Sequence, residues 1–483
     1  MNDNTVVSIL KTFSEEEKRE FGRFADSSFH NGRKETVKYF HTLKKYFPEF
    51  SSKNFTKENL FAKVYPDKKF NDADIRRLNS SLFKLIESYL SLKGLQGDNY
   101  YFQMALAEQY NRRRLNRQFE KKMNEINKTY ENFNGDAENY FWKKFFIERE
   151  MHSNYMLTQK DHLASEALTN RADFFTLHTV INLCKTLTSL SINKKNFNAD
   201  FSKSNFFEFV KRVDLENYIT ALEKSGNRYY PIAAIHFYQA MSLENIDNDF
   251  YFNKYKDLLT NNIENFSYIE KINFYTIFEA ICTLKSEQGN SAINNELFDA
   301  YNRMLNSGLY SFSEGGYFIL KLFRNFIFIG IQMNKLKWLK KFLKNYIITL
   351  HPESQVNMQR LAEAYILFEE KNFDESLEAL SRIDFEIFHF KIDIRILQLK
   401  IFFELNLHEE AYSLIDTFRH FISNNKFISE RYKINCQNFI NFCYRLFKQK
   451  EIRDYAELIT LKKEILKHQF NKDWLLKKTE ELM

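Results

Sequence analysis

The densest group of basic side chains in this sequence lies within residues 110–122, YNRRRLNRQFEKK, here called the basic segment. It comprises Arg112, Arg113, Arg114, Arg117, Lys121 and Lys122. On a single helix, which turns by about 100° per residue, Arg113, Arg117 and Lys121 form one stripe with Arg114 beside it. Such a stripe could neutralise several phosphates of a nucleic acid or bind an acidic peptide. The alternative is a solvated helix face that is neutralised by the nearby carboxylates of Glu120 and Glu125.

A second possible nucleic-acid site lies in residues 55–85, FTKENLFAKVYPDKKFNDADIRRLNSSLFKL. A short helix, a turn with proline and a longer helix carrying Arg76 and Arg77 resemble the helix-turn-helix part of winged-helix regulators. This resemblance implies that the longer helix contacts DNA. However, the turn is long, Asp72 and Asp74 would face phosphates, and no β-hairpin wing follows. The alternative is a helical interaction or packing module.

Motifs that would indicate an enzyme are absent from the sequence. It contains no phosphate-binding or dinucleotide-binding glycine motif, no nucleophile elbow, and no metalloprotease or zinc spacing of His and Cys. His152 and His162 share a helical region with Glu148 and Glu166, but not at the i, i+4 spacing of metal ligands. The sequence therefore predicts a protein that is not an enzyme and has no catalytic residue, no metal and no cofactor.

The cysteines also favour a structural role. Cys184, Cys282, Cys436 and Cys443 form no CxxC pair. We expect them to be small, buried, apolar residues in a reducing compartment. Cys436 and Cys443 lie seven residues apart and share one face of a predicted helix.

The most apolar segment, residues 317–333, is interrupted by Lys321, Arg324 and Asn325. Its unbroken run FIFIGI is much shorter than the ~20 residues that span a bilayer, so we expect a buried helix. The first residues, MNDNTVVSIL, lack the basic stretch and long apolar run of a secretory signal. The sequence predicts a soluble cytoplasmic protein with no membrane partner.

The composition favours helices. The chain has 483 residues but only 11 glycines and 4 prolines. Glycine alone averages about 7% of soluble proteins, and β-folds need both residues for their tight turns. We therefore predict an all-α fold. The net charge of +7 is mild for this length and neither requires nor excludes a nucleic-acid partner.

Helix punctuation divides the sequence into four predicted segments. They are an N-terminal helical module (1–95), a middle region of long helices (98–228), helical repeats (231–447) and C-terminal capping helices (450–483). In the first segment, Ser14 and Glu17 have capping-box spacing, and Thr56 and Asn71 open further helices. The last helix of that segment has an apolar face at Ile75, Leu78, Leu82, Leu85, Ile86 and Tyr89. Residues 193–205, the most polar stretch, are predicted to form a loop.

Polar turn signals recur about every 35–45 residues from Pro231 onward. They lie at NIDND (245–249), EQGN (287–290), QMNK (332–335), EKNFD (370–374), LNLHE (405–409) and KQKE (448–451). Each interval holds two apolar-periodic helices, and capping-box spacing occurs at Ser267 with Glu270 and at Asn372 with Glu375. Regular helix pairs at this period predict an α-solenoid of antiparallel helix pairs.

Two consecutive units carry small residues where helices would meet. In residues 361–384, Ala364 lies on the first helix, and Ser376 and Leu380 lie on the second. In the next unit Ala411 stands where Ser376 would be, 35 residues further on, and Ile415 and Phe418 follow it. These units resemble tetratricopeptide repeats, although they lack that repeat's Trp, Gly and closing Pro. The resemblance implies a right-handed superhelix.

The chain as a whole resembles an uncharacterised bacterial family of tetratricopeptide-like helical-repeat proteins. The residues that carry this resemblance are NLFAKVYPDKKFNDADIRRLNSSLFKLIESYL (59–90), EKNFDESLEAL (370–380) and KDWLLKKTEEL (472–482). The resemblance implies an architecture but no known activity. In the last of these stretches, Trp474, Leu475 and Leu476 predict a terminal capping helix with one docked apolar face.

These observations predict a non-enzymatic helical-repeat scaffold that binds another protein or a peptide in its concave face. The alternative is a nucleic-acid-binding regulator that uses the basic segment or Arg76 and Arg77, with the repeats as its sensor. A catalytic function is a third possibility, and it requires polar groups that converge in a deep pocket.

Overall fold

The computed structural model describes residues 4–97, 99–197, 200–201, 203–384, 387–425 and 429–483. Over these residues the regular structure consists of 24 α-helices and three short 3₁₀ turns, without a strand. One isolated β-bridge joins Ser311 and Phe318. The predicted all-α class is thus confirmed, as expected for a chain with few residues that break helices.

The chain forms two compact units. Unit 1 comprises Met1–Thr129 and Glu150–Asp161, and unit 2 comprises Tyr130–Arg149 and His162–Met483. The four predicted segments are a finer division along the sequence, and they stay a prediction.

Unit 1 is built on seven helices and the end of an eighth. They are α1 (Thr5–Lys11), α2 (Glu15–Asp26), α3 (Lys34–Leu43), α4 (Lys57–Val64), α5 (Asp72–Gly97), α6 (Asn99–Arg112) and α7 (Asn116–Thr129). Ser14 and Glu17 form the predicted capping box, and Thr56 caps α4 through the amide of Asn59. Every predicted apolar position of α5 is buried, from Ile75 to Tyr89. These side chains pack with those of α1 to α4 in one core.

The single helix that was predicted through the basic segment is wrong. Helix α6 ends at Arg112, α7 begins at Asn116, and the two helices pack against each other. Arg114 has a positive φ of 57°, a left-handed conformation that ends a helix although the sequence offers no glycine there. Arg113 and Arg114 therefore lie in a turn, and the expected stripe of Arg113, Arg117 and Lys121 does not exist on one helix.

Long helices occupy the middle of the chain, as predicted. They are α8 (Ala137–Leu157) and α9 (Asp161–Phe197), followed by the shorter α10 (Phe206–Val210) and α11 (Leu215–Lys224). The loop predicted at residues 193–205 is wrong in its first part, because α9 continues to Phe197. Asn198, Ala199 and Ser202 lie outside the described residues.

The rest of unit 2 consists of helices that pack in neighbouring pairs. They are α12 (Tyr230–Glu244), α13 (Asp249–Asn262), α14 (Tyr268–Glu287), α15 (Ile293–Asn306), α16 (Leu320–Gln332), α17 (Leu336–Tyr346), α18 (Pro352–Glu369), α19 (Phe373–Ser381), α20 (Phe388–Leu405), α21 (His408–Asn424), α22 (Glu430–Ile452), α23 (Tyr455–Ile465) and α24 (Lys472–Leu482). Five of the six predicted turns coincide with breaks between these helices. The sixth, KQKE, is wrong, because α22 runs through it and ends at Ile452.

The two predicted caps in this region differ. Ser267 accepts a hydrogen bond from the amide of Glu270, as expected for an N-cap. Asn372 makes no side-chain cap bond in the described structure, so the capping box predicted at this position is wrong.

Close packing of the two helices that include residues 361–381 is confirmed. Ser376 is fully buried, and its hydroxyl donates to the carbonyl oxygen of Ala364 at 2.7 Å, which joins α18 to α19. On α21, Ala411, Ile415 and Phe418 are buried as well. Small residues at the contact let the backbones approach, and the larger ones fill the space beside them.

The most apolar segment forms α16, whose buried residues include Phe323, Phe326 and Ile327, so the expected buried helix is confirmed. Among the helices described, none combines the length and the apolar character needed to cross a membrane. The last helix, α24, buries Leu475 and packs the Trp474 ring 5.6 Å from that of Phe403. The docked face predicted for this helix is therefore present.

Candidate functional site

The basic segment is partly neutralised by its own helices. Arg112 pairs with Glu108 at 2.5 Å, and Lys122 pairs with Glu125 at 2.5 Å. Glu120 was expected to neutralise the segment, but it pairs with Lys160 instead, at 2.5 Å. Four exposed cations of the segment make no ion pair within the described chain: Arg113, which hydrogen-bonds to Gln109, and Arg114, Arg117 and Lys121. The free charge is thus concentrated at the α6–α7 turn and on the first half of α7.

The two arginines of α5 are held by neighbouring aspartates. Arg76 lies 3.0 Å from Asp72, and Arg77 lies 3.3 Å from Asp74. Lys57 on α4 also hydrogen-bonds to Asp72 and lowers the pKa of that carboxyl. The acidic residues therefore neutralise the start of the helix that the helix-turn-helix resemblance would place against DNA.

A group of convergent polar side chains lies in unit 2, here called the Arg324 cluster. Its members are Glu279 on α14, Tyr301 on α15, Lys321, Arg324 and Asn325 on α16, and Asp393 on α20. The Arg324 guanidinium makes a bidentate ion pair with Asp393, with Nη2 2.6 Å from Oδ1. Only 16% of the arginine side chain and 5% of the aspartate side chain are exposed. Residues far apart in sequence thus form one desolvated ion pair.

Burial and charge oppose each other in this pair. Burial raises the pKa of Asp393, and the neighbouring Arg324 guanidinium limits that rise. Burial would lower the pKa of Arg324, but the Asp393 carboxylate more than offsets this and raises it. The arginine is therefore always charged, and its partner is the group that acid would neutralise.

Glu279 is the second carboxyl group of the cluster. It accepts a hydrogen bond from the side-chain amide of Asn325. Burial raises the pKa of Glu279, while the Tyr301 hydroxyl and the Lys321 ammonium favour its charged form. On α20, burial, Lys321 and Arg324 together lower the pKa of His389 to about 4, so its imidazole is neutral near pH 7.

The arrangement of the Arg324 cluster suits binding and packing better than acid–base catalysis. Each carboxyl group already has a hydrogen-bond partner from the protein, and these partners hold it in place. Lys321, Arg324 and Asn325 were visible in the sequence because they interrupt the most apolar segment of the chain. Asp393 was missed, although an acidic residue among the apolar residues in the first half of the helix FHFKIDIRILQLKIFFEL was a visible sign of a buried partner.

Alternate helices of unit 2 contact one another in series through ring contacts and hydrogen bonds. The His236 ring on α12 lies 5.1 Å from Phe274 on α14. The Phe328 ring on α16 lies 5.0 Å from Tyr365 on α18, whose hydroxyl donates to the carbonyl oxygen of Asp393 on α20 at 3.2 Å. Together with the bond between Asn325 and Glu279, these contacts link α12, α14, α16, α18 and α20.

A cleft of about 460 Å³ lies beside α22 and α23. Its lining includes Arg445, which pairs with Glu457 and Glu464, and His468, whose Nδ1 lies 3.3 Å from the amide nitrogen of Asn438. The cleft contains no member of the Arg324 cluster. Arg445, Glu464 and His468 in its lining are thus held by other side chains of the protein.

Metal and thiol chemistry are not supported within the described chain. No group of three or more His, Cys, Asp or Glu residues there could hold a metal ion, and His152 and His162 belong to no such group. All four cysteines are buried free thiols, as predicted. Burial raises the pKa of both the Cys184 and the Cys436 thiol to about 12, which disfavours the reactive thiolate.

Comparison with family models, curated proteins and solved structures finds no match for this chain. The resemblance to tetratricopeptide-like repeat proteins therefore stays a prediction.

Proposed function

We propose that this chain is a non-enzymatic α-solenoid of antiparallel helix pairs that binds another protein or a peptide. The observation that carries this proposal is the series of contacts between alternate helices from α12 to α20. In a solenoid, such helices form one layer, and their side chains make a continuous surface for an extended ligand. The proposal rests on this architecture and on the chemistry of the layer.

The side chains near the Arg324 cluster suit a peptide ligand. Lys321 is exposed at the start of α16, and Asn325 is half-buried one turn further along. The Phe328 ring contacts both Tyr365 and the Arg324 guanidinium, which lies 4.5 Å from the ring centroid. Half-buried amide and charged groups recognise a peptide backbone or carboxylate, while aromatic rings contact its apolar side chains.

Site-specific photo-crosslinking tests the proposal. The photoreactive residue p-benzoylphenylalanine replaces Lys321 in one variant and Ser413, an exposed residue of α21, in a matched control. After irradiation in native lysate, we expect discrete adducts at position 321 that protease removes and nuclease does not. Adducts of equal yield at both positions, or adducts that only nuclease removes, would contradict a peptide-binding layer.

A second candidate function is nucleic-acid binding by unit 1. The observation in its favour is that Arg114, Arg117 and Lys121 are exposed without an ion-pair partner in the described chain. Fluorescence anisotropy with labelled DNA and RNA duplexes at low salt tests it. Replacing Arg114 and Arg117 by alanine should weaken binding and reduce its salt dependence, because fewer counterions are released. Absence of binding by the wild-type chain at low salt would eliminate this candidate.

A further inference from the structure

Helix α17, LKWLKKFLKNY, has one buried apolar face and one strongly basic face. Leu339, Phe342 and Leu343 are buried. Lys337, Lys341 and Lys344 are all exposed, and their spacing places them in one stripe along the opposite side of the helix. None of these three lysines makes an ion pair with any residue that the structure describes. Three flexible, fully hydrated charges therefore face the solvent together.

Exposed apolar side chains lie at the C-terminal end of this stripe. Ile348 follows α17, continues the spacing of the lysines, and has 73% of its surface exposed. The amide of Phe318 donates to the carbonyl oxygen of Thr349, the neighbour of Ile348, at 2.9 Å. This bond brings the loop 311–318 to the end of the stripe. Phe312 in that loop is 75% exposed, and Tyr317 is 57% exposed.

The combination of these groups identifies a surface that should be attracted to anionic lipid. Lysines are depleted at the cores of protein interfaces, where arginine and buried aromatic residues predominate. The stripe contains lysine only, and its apolar neighbours protrude from connections between helices rather than lining a groove. Lysines near an anionic bilayer each contribute about 1 kcal/mol, and protruding apolar side chains add affinity by entering the interface.

We propose that the face formed by Lys337, Lys341, Lys344, Phe312 and Ile348 docks on the surface of an anionic lipid bilayer. The lysines contact lipid phosphates and carboxylates, and the Phe312 and Ile348 side chains enter the interfacial region. This binding is peripheral and requires no membrane-spanning helix. It is also independent of the peptide-binding layer, because it uses a different helix of unit 2.

Sedimentation with vesicles tests the charge requirement. The full chain is mixed with vesicles of equal parts phosphatidylserine and phosphatidylcholine, or of phosphatidylcholine alone. We expect partition to the anionic vesicles only. The triple variant Lys337→Gln/Lys341→Gln/Lys344→Gln should lose about a hundredfold in partition, since each lysine contributes roughly fivefold.

A matched variant separates a specific face from net charge. Lys224→Gln/Lys448→Gln/Lys463→Gln removes the same number of charges from exposed lysines elsewhere in unit 2. We expect this variant to partition like the wild type to within about twofold. Equal losses in both triple variants would show that net charge alone drives binding, and the proposal would fail. Circular dichroism of both variants confirms that they are folded.

A fluorophore tests the contact itself. Because the four native cysteines are buried, a thiol-reactive environment-sensitive dye labels Phe312→Cys selectively, with Ser413→Cys on α21 as the control. Emission from position 312 should rise and shift to the blue with anionic vesicles, while emission from position 413 should not change. Vesicle binding without a change at 312 would place the contact elsewhere. If the chain bound poly-glutamate or duplex DNA through the same lysines but did not bind vesicles, the ligand of this face would be an acidic macromolecule, and the lipid proposal would fail.

Discussion

His236 lies in the core of unit 2, on α12, and only 1% of its surface is exposed. Within the described structure neither ring nitrogen has a hydrogen-bond partner, and the nearest rings are those of Phe274 and Phe266. Burial, and secondarily the Lys185 ammonium, lower the pKa of His236 from 6.5 to about 3. The imidazole is therefore neutral in the native protein, whereas it takes up a proton in the unfolded chain below about pH 6.5.

This difference in pKa makes stability depend on pH. Between about pH 6.5 and pH 3 the unfolded state binds the proton and the native state does not, so acid favours unfolding. One pKa unit corresponds to about 1.36 kcal/mol. Lowering the pH from about 8 to about 5, some 1.5 units below the unfolded-state value, therefore costs the native state about 2 kcal/mol from this residue alone.

The substitution His236→Leu removes this proton linkage and keeps an apolar side chain of similar volume. The free energy of unfolding is measured by urea titration at both pH values and followed by tryptophan fluorescence. Trp142, Trp338 and Trp474 all belong to unit 2, so the signal reports on the unit that contains His236. Relative to the wild type, the variant should gain about 2 kcal/mol on going from pH 8 to pH 5.

A control and a clear negative result complete this test. His420 is exposed on α21, so His420→Leu should leave the difference between the two pH values as in the wild type. If His236→Leu and the wild-type protein lost the same free energy between pH 8 and pH 5, the native His236 would bind a proton as readily as the unfolded one. The inference of a buried, unpaired imidazole would then be refuted.

Three further predictions concern the stability of single contacts, each measured by urea titration. Asp393→Ala should lower the free energy of unfolding by about 3–5 kcal/mol because it leaves the buried Arg324 charge without a partner. The double variant Arg324→Met/Asp393→Leu should lose much less, because it removes both charges. Equal losses in the two variants would contradict a desolvated ion pair. Leu82→Ala should lower the free energy of unfolding of unit 1 by about 2–5 kcal/mol, whereas Leu90→Ala on the exposed side of α5 should lower it by less than about 0.5 kcal/mol. Unfolding of these two variants is followed by circular dichroism. Similar losses in both would contradict the buried face assigned to α5. Ser376→Leu should lower the free energy of unfolding by about 1–3 kcal/mol, because the larger side chain forces α18 and α19 apart. A variant as stable as the wild type would show that these two helices are not closely packed at this position.

The sequence predicted the features that depend on local periodicity. The buried face of α5 followed from the spacing of six apolar residues, because a helix buries positions three and four apart together. The turns between α12 and α13 and between α20 and α21 followed from short polar stretches. The caps at Ser14 and Thr56 followed from residue types that bond to exposed helix amides.

Features that depend on distant residues or on unusual backbone conformations were missed. No glycine or proline marks the end of α6, since Arg114 itself adopts the left-handed conformation. The spacing of Asn372 and Glu375 allowed a cap that this backbone does not form. The sequence showed Arg324 as a charge within an apolar run, but its partner Asp393 could be identified only from the packing of α16 against α20.

The ion pair between Arg324 and Asp393 also has a consequence for biosynthesis. Its two residues are separated by 69 positions. At typical translation rates of about 5–20 residues per second, Asp393 is therefore synthesised roughly 3–14 s after Arg324. During that interval, burying the guanidinium would cost free energy because it has no partner. The side of α16 that carries Arg324 therefore stays exposed to solvent in the nascent chain. The nascent chain therefore completes this region only when α20 has emerged, which makes the interval a window in which a chaperone could bind the apolar surface of α16.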